Sequence, residues 1–344
     1  WLRARFEANT PWDQLVRGLV AATGPNGAGG ARARTVPPLE ASTAAPPSGV
    51  NGAVNWTLRF GQSPEDLAGQ ASRVFLGVQI QCAQCHDHKT ERWKTDDFQR
   101  FAAAFLHLRV EPLEDRQKGA VRRVVLEDAE RVMRRAARKP DLAPVARATP
   151  TALDGTDLTT GESVRDSLAT WMTSRENPWF ARALVNRMWG HFLGRGFYDP
   201  VDDIRPSNTP VMPELLDRLA ADFVASGFDL RHLARTICAT EAYQLAASAE
   251  GKREADPQNE LWARFHLVPL GPEELLDALF RATGVARAAE QAGIGDLARL
   301  RAQLARRHAF LFDVDEEADQ PDFSGTVSQA LALMNGPLVG HGAR

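Results

Sequence analysis

Apolar residues recur at helical spacing through almost the whole chain, and residues that start or stop helices sit at the ends of the runs. Trp12, Leu15, Val16, Leu19 and Val20 fall on one face after Thr10-Pro11, an N-cap followed by a favoured first helical position. Ser63-Pro64-Glu65-Asp66 opens a second run to about Val78, with Asp66 placed to complete a capping box. Thr95-Asp96-Asp97 opens a third, which aligns Phe98, Phe101, Ala102, Phe105 and Leu108. Further helices are predicted over 163–174, 178–193, 213–226, 229–246, 272–283 and 287–308. Asn177-Pro178, Asp229 and Gly271-Pro272 start three of these, and Gly194, Gly227 and Gly284 end three. No alternating stretch is long enough for a major sheet, and no solenoid repeat occurs. The predicted fold class is all-α: two helical domains with long irregular loops.

Composition places the boundaries. Residues 24–54 are rich in Gly, Ala, Pro and Ser and read as a long surface loop or flexible insertion. Residues 111–162 are a charged linker or insertion with an exposed helix expected over Glu127–Arg138. They separate a domain over 1–110 from a companion helical domain over 163–344. A net charge of -3 gives no reason to expect a nucleic-acid partner. No stretch approaches the roughly 18–20 consecutive apolar residues of a transmembrane helix. The opening Trp1-Leu2-Arg3-Ala4-Arg5 is already amphipathic and has no signal-peptide character, which reads as a fragment or a processed product.

Of the three cysteines, Cys238 lies on a helical pattern with Leu233 and Ile237 and reads as a core residue. The other two belong to Cys82-Ala83-Gln84-Cys85-His86, the Cys-x-x-Cys-His spacing of c-type haem attachment. Two thiols three residues apart on a helical turn can each bond one vinyl-derived carbon of a porphyrin. The adjoining imidazole then lies beneath the iron as proximal ligand. At this chain's Cys and His frequencies, chance yields the pattern on the order of 0.0006 times.

The same residues admit other readings. A redox dithiol favours a strand-to-helix context that the sequence lacks. Half of a tetrahedral zinc site, with His86 or His88 as third ligand, would need a second Cys/His pair. Asp87 is placed to orient an imidazole through its carboxylate. Lys89, Arg92 and Lys94 either face haem propionates or form an exposed charged loop. The acidic run Asp313–Asp319 departs from a calcium loop, with Ala318 and Ser324 where Gly and Glu are needed. No nucleophile elbow, phosphate loop or dinucleotide fingerprint occurs.

Arg73-Val74-Phe75-Leu76-Gly77-Val78, followed by Cys82-Ala83-Gln84-Cys85-His86-Asp87-His88, closely resembles the signature of the planctomycete-type cytochrome-like domain. Trp93, Thr95-Asp96-Asp97-Phe98 and the opening Asn9-Thr10-Pro11-Trp12-Asp13 fit the same pattern. Lys89 stands where many members carry Pro, which leaves the haem motif intact. Residues Asn177-Pro178, Val185 to Gly196, Pro213 to Asp217, Thr240 to Gln244, Gly325 to Leu331 and Met334-Asn335-Gly336 resemble the companion C-terminal domain of unknown function found in the same proteins.

The resemblance and the motif together imply one haem c on Cys82 and Cys85, with His86 as proximal iron ligand. The expected activity is one-electron transfer to a redox partner protein in the periplasm or another extracytoplasmic compartment, by a carrier rather than a catalyst. The alternative is a surface or scaffold protein whose motif holds a non-haem metal or a structural disulfide. A haem enzyme of peroxidase type would need an open distal position. For the distal ligand the candidates are His191, His107 and Met334. His88 is too close in sequence to His86 to reach the opposite haem face. His191, in Trp189-Gly190-His191-Phe192, is the first choice and would make the haem bridge the two domains.

Overall fold

The computed structural model describes residues 1–26, 49–60, 63–113, 122–127, 143–161, 163–247, 256, 258–266, 270, 272–284, 287, 291, 331 and 334. Among them run α1 (Leu2–Glu7), α2 (Trp12–Val20), α3 (Val54–Phe60), α4 (Pro64–Leu76), α5 (Thr95–Ala103) and α6 (Ala143–Arg147). They are followed by α7 (Val164–Met172), α8 (Phe180–Leu193), α9 (Pro213–Ala225), α10 (Leu230–Cys238), α11 (Glu241–Gln244) and α12 (Pro272–Ala282). Three short strands, β1 (Gly24–Pro25), β2 (Leu108–Leu113) and β3 (Arg122–Glu127), form one antiparallel sheet in the order β1-β3-β2. The fold is all-α with this one small sheet.

Local capping sets several of the helix ends. The Ser63 hydroxyl accepts from Asp66 N at 3.1 Å, and Gly77 ends α4 in the left-handed region at φ 67°. Asp229 accepts from His232 N at 2.9 Å to start α10. Thr240 then accepts from Tyr243 N at 3.3 Å and starts a new helix, so the single helix predicted over 229–246 is split in two. The third predicted helix ends at Ala103, and Leu108, expected on its face, opens β2. Glu127, expected to open a helix, instead ends β3 opposite Leu108. Val110 pairs with Val125, a β-branched match that a strand favours. The remainder of the helix expected over 127–138 lies outside the described residues. So do most of the 24–54 loop, the acidic run 313–319 and, apart from two single positions, the helix expected over 287–308.

The chain divides into two compact units, Trp1–Ala33 with Pro46–His266, and Arg34–Ala45 with Leu267–Arg344. In the smaller unit, α12 buries Leu276 and Phe280. The larger unit has one core that draws on both sides of the 111–162 segment. Helix α4 packs on α5 and α8, α2 on α7, and α8 on α9 and α10. The Trp12 ring stands 6.2 Å from Phe75 of α4 and 6.4 Å from Phe180 of α8. Phe101 of α5 meets Trp171 of α7 edge-on at 6.3 Å.

A second link is polar. Arg165 on α7 is 1% exposed and donates to Val20 O at 3.0 Å and Ala22 O at 2.9 Å, satisfying carbonyls left open at the end of α2. Phe180 is 0% exposed, so Phe180→Ala removes a full aromatic contact set and is expected to cost about 3–5 kcal/mol. Urea unfolding checks this, and the loss should appear in a single transition shared by residues 1–110 and 163–266. Two separate transitions would contradict a common core.

Candidate functional site

The Cys-x-x-Cys-His turn is built on the end of α4. Gly77 N donates to Arg73 O and Val78 N to Ser72 O, each at 3.1 Å, and the chain reverses direction there. Val78 and Ile80 are each 1% exposed and anchor the returning strand of chain. Gln81 then lies against α4 at Gly69, where a Cβ would come within 2.5 Å of the Gln81 Cγ. A 3-10 turn over Gln81–Gln84 follows, pinned by the fully buried Ala83. Cys82 and Cys85 flank that anchor, and both are exposed free thiols.

His86 and His88 are held in opposite tautomers. The His86 Nδ1 lies 2.8 Å from Asp87 O, which can only accept, so Nδ1 carries the proton and Nε2 presents its lone pair. His88 Nδ1 accepts from Thr90 N at 3.3 Å and Glu91 N at 3.1 Å, so its Nε2 carries the proton and is a donor. His88 N also donates to Trp93 O at 2.8 Å. The Asp87 carboxylate does not orient an imidazole as expected. It accepts from Thr95 N at 2.9 Å and holds the loop to the start of α5, while the Asp87 carbonyl takes the His86 proton. Arg92 stacks over Trp93 at 4.3 Å and donates to Leu153 O at 3.3 Å, so it serves the loop's own structure.

Cys82 also lines a cleft of about 110 Å³. Val78, Gln79, His88, Glu91 and Trp93 form one side, and Asp203, Ile204 and Arg205 the other. Asp203 is 7% exposed. Burial pushes its carboxyl above the usual range, Asp202 and Glu91 add to the rise, and Arg205 opposes it. Arg205 Nε stands 3.0 Å from Asp203 Oδ2 as an ion pair.

The structure thus brings Cys82, Cys85 and His86 onto one turn. It places His191 on the last turn of α8, exposed, with its ring 5.3 Å from Phe192, and not among the residues lining the cleft beside Cys82. The single described position at Met334 is 74% exposed. Among the described residues, no three His, Cys, Asp or Glu side chains gather as a metal site. No helix among them is long and apolar enough to cross a membrane. The sequence reading missed Glu91, Asp203, Ile204 and Arg205. The only signal of the last three was the charged stretch Asp202-Asp203-Ile204-Arg205, and Glu91 lies in the charged run from Lys89 to Lys94; neither names a partner.

Comparison with known proteins finds a match for each segment. Residues 1–110 match the family model PSCyt2, a protein of unknown function (DUF1549). Residues 164–296 match the family model PSD1, a protein of unknown function (DUF1553). The two matches lie in that order along the chain. No curated protein and no solved structure matches it.

Two substitutions probe the site's construction. At Gly77 a Cβ would meet Ile204 Cδ1 at 2.8 Å in a left-handed conformation, so Gly77→Ala is expected to cost about 1–3 kcal/mol by denaturant titration. Because Asp203 holds its proton more tightly folded than unfolded, wild-type stability falls as pH rises through that raised pKa. Asp203→Asn should therefore gain thermal stability relative to wild type on going from about pH 4 to pH 7. A gain in the reverse direction would show that Asp203 is stabilised as the anion.

Proposed function

We propose that this chain is a c-type cytochrome-like protein that carries one covalent haem and passes single electrons outside the cytoplasm. The observation behind the reading is the donor set on the turn. Two free, exposed thiols flank a buried anchor, and the next residue is an imidazole with its Nε2 lone pair open. That set fits the attachment chemistry of haem c. Cys82 and Cys85 would each add S–H across one vinyl C=C, forming a thioether bond and giving the hydrogen to the other vinyl carbon. His86 would ligate through Nε2, with its tautomer fixed by the Asp87 carbonyl. When bound, the group supplies a one-electron couple whose potential follows its axial ligands and its burial.

The chain's own residues supply placement. The 3-10 turn holds both thiols to solvent, Asp87 ties the turn to α5, and Gln81 ties it to α4. Electron transfer requires no general acid or base at the site, in keeping with a carrier. The extracytoplasmic assignment follows from where covalent haem attachment is carried out. A redox partner protein is implied by the same chemistry. A tetrahedral zinc centre lacks its third and fourth ligands among the described residues.

Expression of the full chain with a c-haem maturation system is the test. The product should stain for haem on a denaturing gel after boiling and give a c-type pyridine haemochrome spectrum. Cys82→Ala with Cys85→Ala should lose both signals. A correctly folded, colourless product from that system ends the haem reading.

A further inference from the structure

The turn bearing Cys82, Cys85 and His86 hangs between two flanks, and one loop of the second family segment grips both. This loop, residues 202–208, follows α8. On the upstream flank, Arg73 Nε donates to the Asp202 carboxylate, and Gln79 Nε2 reaches the other Asp202 oxygen at 3.5 Å. Ile204 N donates to Gly77 O at 2.7 Å, and the Ile204 side chain occupies the space that a Cβ at Gly77 would need. On the downstream flank, the Ser207 hydroxyl donates to Glu91. The loop holds its own shape, because Asn208 Nδ2 donates to Asp203 O at 2.9 Å and Asn208 N donates to Arg205 O at 3.1 Å. Between the two grips, Cys82 faces the cleft whose far wall is Asp203, Ile204 and Arg205. Cys85, three residues on, is not part of that cleft.

We propose that loop 202–208 is a positioning element for the Cys-x-x-Cys-His turn, with Asp202 and Ser207 setting how the Cys82 thiol is presented relative to Cys85. The proposal rests on the reading that Cys82, Cys85 and His86 act together as an attachment site. It assigns the second family segment a part in that site. Fixing both ends of a short turn leaves it few ways to rotate, and sites lose function when their supporting residues are loose. A loop that only joined the two segments would need no grip on both sides of the motif.

The experiment is pulsed iodoacetamide labelling of the full-length, haem-free chain, with Cys82, Cys85 and Cys238 read separately by peptide mass spectrometry. Asp202→Asn with Ser207→Ala should change the Cys82-to-Cys85 labelling ratio by roughly threefold or more, in the range of coupling between contacting residues. Cys238 labelling and the thermal midpoint should stay near wild type. Asp202→Glu, which keeps the carboxylate, should return the ratio most of the way. If the double variant does not fold, Ser207→Ala alone carries the test with a smaller shift in the same ratio. An unchanged ratio in a folded variant overturns the proposal. So does a uniform rise in all three thiols, which would mean that the loop serves only general stability. Haem loading is scored in parallel. A wild type that takes no haem removes the attachment reading, while the labelling ratio still decides whether the loop positions the turn.

Discussion

The larger unit depends on the contact of Trp12 with Phe75 and Phe180. One indole spans helices that belong to two separately recognised family segments, and both phenyl rings are almost wholly buried. Aromatic burial of this kind carries much of the stability of a core. Since α4 closes on α8, the end of α4 has a fixed place, and the Cys-x-x-Cys-His turn inherits that place through Gly77. Removing the second segment would therefore uncover the first segment's own core. The family boundaries near residues 110 and 164 divide the sequence without dividing this packing.

Most helices were legible because their signals are local. Ser63, Ser163 and Asp229 each bond an amide three residues on, a relation visible in the sequence as a polar residue just ahead of an apolar run. Thr240 obeys the same rule, but it sits inside a continuous helical pattern and was read through as part of one helix. The sheet was illegible for the opposite reason. Arg122–Glu127 is a strand because residues 108–113 lie beside it, and the charged Arg122-Arg123 and Glu127 look equally at home in an exposed helix. The same limit applies at the site. Five residues in a row announced the thiols and the first imidazole. The opposite wall of the cleft comes from more than a hundred residues further along, where no spacing rule points back to Cys82.

Two imidazoles two positions apart illustrate how the backbone sorts chemistry that composition leaves undivided. His86 meets a carbonyl and His88 meets two amides, and this alone leaves one Nε2 an acceptor and the other a donor. The difference also separates their uses. His86 can ligate a metal ion as it stands, whereas His88 would first have to give up a proton or abandon the bonds that shape its loop. Asp87 serves the turn twice, through its carbonyl toward His86 and through its carboxylate toward α5.

Arg165 has a consequence for the order of events during synthesis. A chain emerges N-terminus first, and domains fold as their parts become available. The carbonyls of Val20 and Ala22 wait for a guanidinium that lies far downstream of Cys85 and His86. Until α7 emerges, the end of α2 lacks that partner and the core beside α4 lacks one side. The Cys-x-x-Cys-His turn is thus synthesised well before the residue that completes the packing beside α4.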